Sequence, residues 1–376
     1  MANTNLGNAK AAKNDEFYTQ YADIEKEMQA YLDYDPDVFR GKTILLPCDD
    51  PERSNFTLYF AQNFARFGLK KLISTSYAPD AKRARYGILP NLFPEEEEDP
   101  KFDPTKWQTK GKIFILDSDN NGDGAIDVHD LQWKYLDGDG DFRSKEVTAL
   151  RNEADFIITN PPFSLFRDFM AWLMDGGKQF SVIGNMNAIT YKEVFPLIKD
   201  NRVWLGPSIS SGDREFGVPK EYPLEAAGWR IDDKGNHFIR VKGVRWFTNI
   251  EHGRRHQPLQ LMTMADNIKF SRHKDIRGKE YLHYDNYDAI EVPYTDSIPS
   301  DYDGAMGVPI SFLDKYNPEQ FDILGITDRG NEYGIKTREY TKDDSPKFGD
   351  LNRRGAIKVN GNIVSTYARL LIRKKQ

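Results

Sequence analysis

Short, predominantly apolar segments alternate with helical segments through the first 200 residues, and this alternation limits the possible folds more than any other feature. The apolar segments lie at 42–46, 71–75, 112–116, 155–159 and 180–184, and apolar residues recur at helical spacing in 23–31, 55–67, 144–154 and 165–173. Strands that are apolar throughout, rather than at every second residue, are covered on both faces. The sequence therefore predicts an α/β fold with a parallel sheet between two layers of helices.

In such a sheet, ligands bind beyond the carboxyl ends of the strands. Functional residues are therefore expected directly after Leu46, Thr75, Leu116 and Thr159. Beyond about residue 200 the pattern changes, because Tyr, Trp, Pro, Gly and His become frequent and helical spacing becomes scarce. We therefore predict one α/β domain at 1–200 and a second region at 201–376.

The tetrapeptide Asn160-Pro161-Pro162-Phe163 follows a predicted strand and precedes a predicted helix. Two consecutive prolines cannot continue the strand, and they form a stiff turn without backbone donors. The Asn160 side-chain oxygen and the Pro161 carbonyl can then bind the two hydrogens of an exocyclic amine such as adenine N6, and draw its nitrogen towards tetrahedral geometry. Phe163 can stack on the base, which must leave the duplex to reach the turn. The alternative is an ordinary Pro-Pro turn that ends a strand.

Together with other segments, this tetrapeptide resembles the EcoRI-type adenine-specific modification methylases, in which it corresponds to motif IV of the amino-methyltransferases. The segments that carry the resemblance are spread over most of the chain, at 13–20, 48–52, 138–144, 159–167, 187–193 and 307–313. The resemblance implies a Rossmann-like methyltransferase sheet that uses S-adenosyl-L-methionine at 1–200, and a region that recognises double-stranded target DNA at 201–376. It implies methylation of adenine N6 after base flipping.

Such an enzyme serves restriction-modification, with a cognate restriction endonuclease acting separately, or epigenetic marking. Two kinds of alternative stay open. One is an amino-methyltransferase that acts on cytosine N4 or on RNA. The other is a catalytically silent DNA-binding protein with the same fold.

Five residues in two segments are assigned to the cofactor by this resemblance. Phe17-Tyr18-Thr19 is similar to motif X, which closes over the methionine part of the cofactor. A hydrophobic staple at the start of the following helix is the alternative. Asp141 and Phe142 correspond to residues at the cofactor adenine, with the carboxylate accepting from its amine and the ring against its plane. The alternative is a polar turn followed by a core phenylalanine.

The turn after the first strand departs from that of most methyltransferases, because it has no glycine-rich loop. Pro47-Cys48-Asp49-Asp50-Pro51-Glu52 stands there instead and is similar to the EcoRI-type variant. A carboxylate of Asp49 or Asp50 can bind the cofactor ammonium, and the N-terminus of the next helix suits its carboxylate. No acidic residue follows the second strand, so the residue that binds the ribose hydroxyls is not predicted.

Residues 119–130 have the spacing of a calcium-binding loop. Ligand positions 1, 3, 5, 9 and 12 and the turn glycine are filled by Asp119, Asn121, Asp123, Asp127, Asp130 and Gly124. The last position holds Asp rather than a bidentate Glu, and no clear helix enters the loop. An Asn/Asp/Gly-rich turn is therefore favoured over a calcium site, and no metal is expected in methyl transfer.

The net charge of −6 is unevenly distributed. Residues 80–160 contain 18 Asp+Glu against 11 Lys+Arg, whereas 240–280 contain 10 Lys+Arg against 4 acidic residues and 347–376 contain 8 against 1. Phosphate binding responds to local charge, so the two basic stretches predict DNA binding, with solvated surface as the alternative. The predicted DNA-binding residues are Lys242, Arg245, Arg254, Arg255, Arg272 and Lys274.

The single cysteine, Cys48, excludes a disulfide within the chain and is typical of a reducing compartment. No apolar run approaches the length of a membrane span, and no secretory signal is recognisable at the N-terminus. We therefore expect a cytoplasmic protein that binds DNA and no membrane.

Overall fold

The computed structural model describes residues 17–49, 54–78, 99–210, 212–218, 220, 228–328 and 336–375. The chain divides into two compact units, one formed by Met1–Met186 and Gly206–His252 and the other by Asn187–Leu205 and Gly253–Gln376. The units do not coincide with a division at residue 200, because residues 206–252 belong to the first. The assignment of target recognition to 201–376 stays a prediction.

The first unit contains most of the helices and strands predicted from the apolar pattern. In chain order these are β1 (Tyr18–Thr19), α1 (Tyr21–Tyr34), β2 (Thr43–Leu46), α2 (Asn55–Gln62), α3 (Phe64–Phe67), β3 (Lys71–Thr75), β4 (Lys112–Leu116), β5 (Gln132–Tyr135), α4 (Lys145–Glu153), β6 (Phe156–Thr159), α5 (Phe166–Gly176) and β7 (Gln179–Asn185). The chain enters the second unit for α6 (Phe195–Lys199) and β8 (Trp204–Leu205). It returns to the first for β9 (Asp213–Val218), β10 (Arg230–Ile231), β11 (His237–Lys242) and β12 (Val244–Thr248).

The main sheet of the first unit has the strand order β5-β4-β3-β2-β6-β7-β12. Strands β3, β2, β6 and β7 are parallel, with helices between them in sequence. β4 and β12 run antiparallel to β3 and β7, and β5 antiparallel to β4. The α/β, Rossmann-like prediction is confirmed, but the expectation of a wholly parallel sheet is wrong. β12 is separated from β7 in the chain by α6 and the strands β8 to β11, and an apolar run in the sequence carries no information about the direction in which a strand pairs.

The order of the strands reverses at β2, which lies between β3 and β6. A crevice opens at such a switch point beyond the carboxyl ends of the two strands, here Leu46 and Thr159. Because β4 is antiparallel, Ile113 pairs with Thr75 while Leu116 pairs with Leu72. Leu116 therefore lies towards the opposite edge of the sheet, and the prediction that functional residues follow it at the ligand edge is wrong.

A smaller sheet in the first unit has the order β1-β9-β11-β10. Its antiparallel pairing places Tyr18 opposite Gly217 and Thr19 opposite Phe216. The ring of Phe17 packs at 5.8 Å from that of Phe216. The segment at Phe17–Thr19 is thus fixed by strands that lie about 200 residues later in the chain.

The second unit is built mainly from short strands. After Gly253 it contains α7 (Met264–Phe270), β13 (Ile290–Glu291), β14 (Met306–Pro309), β15 (Phe321–Ile326), α8 (Phe348–Arg353), β16 (Ala356–Val359), β17 (Asn362–Ser365) and β18 (Arg369–Lys374). One sheet has the order β13-β14-β18-β15, and β16 and β17 form a separate two-stranded sheet. None of the described helices has the length and hydrophobicity needed to cross a membrane.

Aromatic side chains dominate the core beside β2. Phe39 is fully buried, with ring centroids 5.9 Å from Phe60, 5.6 Å from Phe67 and 5.4 Å from Phe156. Two of these contacts are edge-to-face, the arrangement that aromatic quadrupoles favour. Phe39 thereby joins α2 and α3 to β6.

Replacing Phe39 with alanine should lower the free energy of unfolding by about 3–5 kcal/mol, because it removes a large buried ring and leaves a cavity. Urea denaturation followed by circular dichroism measures the change. Tyr34→Ala is the control, since Tyr34 is 47% exposed and its loss should change stability by less than about 0.5 kcal/mol. Equal effects of the two changes would contradict this account of the core.

Candidate active site

The turn at Asn160 lies at the switch point of the sheet. Thr159 Oγ1 donates a hydrogen bond to the Pro47 carbonyl, which ties the end of β6 to the end of β2. Asn160 Nδ2 donates to the Phe17 carbonyl at 2.7 Å. A carbonyl oxygen can only accept, so this bond fixes the orientation of the Asn160 amide. Asn160 Oδ1 is thereby left as an acceptor.

Asn160 Oδ1 is buried and accepts no hydrogen bond from any described residue. A buried acceptor without a donor costs about 1–3 kcal/mol, and such atoms in folded proteins are few enough to indicate a functional position. Pro161 and Pro162 are buried beside it. The half-buried Phe163 packs edge-on against Phe17, with ring centroids 5.6 Å apart. The arrangement suits a planar ligand that donates a hydrogen bond.

Phe17 does not form the hydrophobic staple that was the alternative. Helix α1 begins at Tyr21 with Gln20 as its N-cap, so the staple position would be Thr19. Phe17 instead contacts Phe163 and Phe216. The structure therefore brings the motif X segment and the Asn160 turn together, and the role of Phe17, Tyr18 and Thr19 at the cofactor stays a prediction.

Asn55 fixes the motif X segment from the other side. It is the first residue of α2, and its Nδ2 donates to the Thr19 carbonyl at 2.7 Å. This role could not be predicted from the sequence, because an asparagine beside the N-cap Ser54 is typical of any helix start.

The turn after β2 keeps its sharp bend without glycine. Cys48 has a φ of 60°, in the left-handed region, which costs a non-glycine residue about 1–2 kcal/mol. The Asp49 amide donates to the Thr75 carbonyl at 3.1 Å, which joins this turn to the end of β3. The conformation that a glycine-rich loop would supply is therefore present with another residue.

The Asp49 carboxylate is held at the start of α2. Its Oδ2 accepts from Thr57 Oγ1 at 3.0 Å, and Thr57 Oγ1 lies 2.8 Å from Ser74 Oγ. The side chain is largely buried. Sequence reasoning missed Thr57 and Ser74, since nothing in the pattern separates them from other hydroxyl residues. Asp50 lies outside the described residues.

Gly140 places the Asp141 segment at the end of β3. A Cβ on Gly140 would lie 2.1 Å from the Ser76 carbonyl oxygen, and the φ of Gly140 is +85°. Only glycine allows this close approach. The Asp141 carboxylate accepts from Arg143 Nε at 3.0 Å and from Arg143 Nη2 at 2.8 Å, so a cofactor amine would share the carboxylate with Arg143. Its cofactor role stays a prediction.

Phe142 has no exposed surface. Its ring packs edge-on against Phe169, at 5.0 Å, and against Trp172, at 5.6 Å. A ring with no exposed face cannot stack on a cofactor without leaving the core. The geometry therefore favours the core alternative, in which Phe142 anchors the turn that carries Asp141.

The loop at 119–130 is closed by its own backbone. Asp119 accepts from the amides of Gly122 and Gly124, and Asp130 accepts from those of Asn120, Asn121 and Asp127. These hydrogen bonds hold the pKa of the Asp130 carboxyl below its usual value, and the bond from the Asp127 amide has the largest effect. In the described part of the chain, no group of three or more His, Cys, Asp or Glu side chains is arranged to hold a metal. The geometry favours the turn interpretation.

The structure contradicts direct DNA contacts by two of the predicted residues. Arg245 is buried, and its Nη2 donates to the Ser210 carbonyl at 2.9 Å. Arg255 is also buried, with its guanidinium 3.7 Å from the centre of the Trp204 ring and bonded to Asn201 Oδ1 at 2.8 Å. A guanidinium enclosed in this way cannot reach a phosphate. Both residues order nearby backbone instead.

The other four predicted DNA-binding residues have accessible side chains. Lys242, Arg272 and Lys274 are exposed and Arg254 is half-buried. Arg272 is 81% exposed in its side chain and pairs with Asp296 at 2.7 Å, a surface pair that contributes little to stability. These four residues stay candidates for phosphate contact.

Comparison with known proteins gives concordant results. The family model described as "Adenine-specific methyltransferase EcoRI" matches residues 5–375. The chain is 41% identical over 319 residues to the Type II methyltransferase M.EcoRI of Escherichia coli, covering 85% of this chain and 88% of that protein. It is 32% identical to the Type II methyltransferase M.MpnI of Mycoplasma pneumoniae, covering 98% and 97%, and 32% identical to M.MgeORF184P of Mycoplasma genitalium, covering 98% of each. The chain therefore belongs to the family of EcoRI-type adenine-specific methyltransferases.

Proposed function

We propose that this chain is a site-specific DNA methyltransferase that transfers a methyl group from S-adenosylmethionine to the N6 amine of adenine in duplex DNA. The observation that carries the proposal is Asn160 Oδ1, a buried acceptor at the switch point of the sheet that accepts no hydrogen bond from the described part of the chain. Adenine N6 is a donor of the matching kind, because it carries two hydrogens. Membership of an adenine-specific family favours adenine over cytosine N4.

Asn160 acts by orientation and polarisation. The lone pair of adenine N6 is delocalised into the ring, so the amine is a weak nucleophile. An acceptor at Oδ1 that binds one of its hydrogens favours the tetrahedral nitrogen that forms as the new bond develops, and this interaction is stronger in the transition state than in the ground state. The hydrogen bond to the Phe17 carbonyl holds the amide in position for this.

Phe163 offers a face for the target base. It is only half-buried, and stacking on an aromatic ring contributes about 1–3 kcal/mol per base. The base must leave the duplex to reach it, so binding requires flipping.

The turn after β2 and the segments around it fit the cofactor. S-adenosylmethionine supplies an activated methyl group on a sulfonium, which an amine can displace directly. The Asp49 carboxylate, fixed by Thr57, would bind its ammonium, Asp141 would bind its adenine amine, and Phe17–Thr19 would cover its methionine part. The fit rests on the left-handed Cys48 turn and on the Gly140 contact, which bring these groups to one edge of the sheet.

We infer the biological role from sequence similarity to named relatives. The relatives are named Type II methyltransferases, and this supports a place in restriction-modification, in which a separate endonuclease is the partner. A cytoplasmic location, where DNA and reduced thiols are found, agrees with the single cysteine. DNA recognition is assigned to the basic stretches of 201–376.

Replacing Asn160 with alanine should reduce kcat by about 10²–10³-fold, the usual effect of removing one preorganised hydrogen-bonding group. The dissociation constant for S-adenosylmethionine should change far less than kcat, because Asn55 and the pairing with β9 still hold the Phe17–Thr19 segment once the bond from Asn160 is lost. Transfer of labelled methyl groups to duplex DNA and calorimetric titration measure the two quantities. Asn236→Ala, at an exposed turn bonded to Asp232, is the control. Near-normal turnover of the Asn160 variant would refute the assignment.

Methylation should persist in EDTA, because direct displacement at a sulfonium needs no Lewis acid. The assay compares initial rates and melting temperatures with EDTA and with added calcium. A loss of activity in EDTA that calcium restores would instead show that the loop at 119–130 is a structural metal site.

Neutralising Arg272 and Lys274 with glutamine should weaken DNA binding and its salt dependence. The slope of log K against log salt should become shallower by about 0.9 for each phosphate that the variant no longer neutralises, while affinity for S-adenosylmethionine stays unchanged. Fluorescence anisotropy at several salt concentrations measures the slope, with the exposed Lys70→Gln as control. Unchanged affinity and slope would identify Arg272 and Lys274 as solvated surface only.

A further inference from the structure

The hairpin of β16 and β17 is a ribbon separate from the larger sheet of the second unit. Its strands pair in register from Ala356 opposite Ser365 to Val359 opposite Asn362. The tip residues Asn360 and Gly361 both have positive φ, 51° and 79°, as in the two-residue type I′ turn that suits twisted strands. The ribbon is therefore regular to its tip.

The base of the hairpin is rigid, whereas its tip projects into open space. The fully buried Asn286 accepts from the Ala356 amide at 2.7 Å and donates to the Arg354 carbonyl at 2.8 Å. The Asp285 amide donates to the Ala356 carbonyl at 2.8 Å. At the other end, a Cβ on Gly361 would meet no atom within 4 Å. The hairpin is therefore a projection that is fixed at its base, and not a flexible loop.

The two faces of the hairpin differ. Directly opposite residues share a face, and the face of Ala356 and Ile363 packs on the buried Tyr340 and Leu351. The tip-proximal part of the other face is uncovered and contains three residues, Val359, Val364 and Asn362. Val359 is 39% exposed and Val364 42% exposed. Asn362 is exposed, and its side chain bonds to no described residue.

Charge indicates what covers this face. Residues 351–376 contain seven Lys and Arg and no Asp or Glu. Lys358 on the hairpin is 66% exposed in its side chain, and Arg353 just before it is 55% exposed. Each pairs with a largely buried carboxylate, Asp285 or Asp328. Each carboxylate also has a second guanidinium partner, Arg338 or Arg354, so a phosphate can bind the exposed Lys358 or Arg353 without leaving the carboxylate unpaired. The surroundings are complementary to a polyanion.

We infer that this hairpin enters the major groove of the target DNA and reads its sequence through Val359, Asn362 and Val364. The inference rests on the proposed function, which makes duplex DNA the substrate. A two-stranded ribbon fits the major groove, which is about 12 Å wide. There an asparagine can bind adenine N6 and N7 together, and an apolar side chain can contact the thymine methyl group. The hairpin therefore selects A·T pairs within the recognition sequence.

The first test replaces Asn362 with alanine in the full-length enzyme and maps N6-methyladenine in a randomised duplex library. The wild type should require an A·T pair at a position that the variant accepts with any base. Discrimination there should fall by about ten- to a hundredfold, the range expected when one bidentate pair of hydrogen bonds is removed, while the best sequence is still methylated. Ser365→Ala, at an exposed residue on the opposite face of the same hairpin, should keep the wild-type pattern.

The second test uses Val359→Ser and Val364→Ser, which remove both side-chain methyl groups and do not depend on the fate of the Asn362 variant. Deoxyuridine replaces thymidine at each position of the target. Removal of the methyl group should weaken binding by the wild type several-fold at one position. At that position it should not weaken binding by the variant in which the contacting valine is replaced. Gel-shift affinity is the readout, so this test does not require methylation.

An unaltered sequence preference in all three variants, with an equal loss of affinity at every site, would reduce the hairpin to a structural element and overturn the inference. A dimer of the wild type that the variants fail to form in sedimentation would assign the face to a second copy of the chain and would also overturn it. Absence of N6-methyladenine with the wild type would refute the proposed function instead. The deoxyuridine binding test would still decide the role of the hairpin.

Discussion

The hydrogen bond from Asn160 Nδ2 to the Phe17 carbonyl joins positions 143 residues apart in the chain, and the polarity of the site depends on it. Without this bond the amide could rotate and present its nitrogen, a donor, where an acceptor is needed. The bond also makes the Asn160 turn dependent on β1, and so on the smaller sheet that pairs with β1. Under the proposed function, this one interaction would couple closure over the cofactor to polarisation of the base.

A buried hydrogen-bond network in α1 stabilises the same segment. The hydroxyl of Tyr31 in α1 donates to Glu27 at 2.6 Å and lies 3.0 Å from Ser181 Oγ on β7, and the Ser208 amide donates to the same carboxylate at 2.9 Å. Burial, with the Glu27 charge beside it, raises the pKa of Tyr31 well above its ordinary value, so the hydroxyl stays protonated and able to donate. Since α1 directly follows β1, the network fixes the position of α1 and thereby that of the motif X segment before it.

The apolar pattern predicted the positions of the strands but not their directions. β3 and β4 begin and end where the sequence placed them, yet β4 runs opposite to β3, and an apolar run carries no information about direction. The position of the Asn160 turn at the end of β6 was predictable, because proline and asparagine have local conformational effects that need no tertiary contact.

Burial of individual side chains could not be predicted in the same way. Phe142 and Arg245 are enclosed by partners distant in sequence, such as Phe169 and the Ser210 carbonyl. A basic residue within a basic stretch therefore looks the same in the sequence whether it faces solvent or binds backbone carbonyls. Only the folded structure distinguishes the buried Arg245 and Arg255 from the exposed Arg272.

The two compact units are made from interleaved pieces of the chain. The chain passes between them three times, after Met186, Leu205 and His252. A ribosome must synthesise the chain as far as β12 before β7 gains its antiparallel neighbour, and by then the first segment of the second unit has already emerged. A fragment that ends at Met186 would leave β7 as an unprotected edge, open to pairing with other chains. Any division of the protein for expression or for split-enzyme reconstitution must therefore keep residues 206–252 with the N-terminal part.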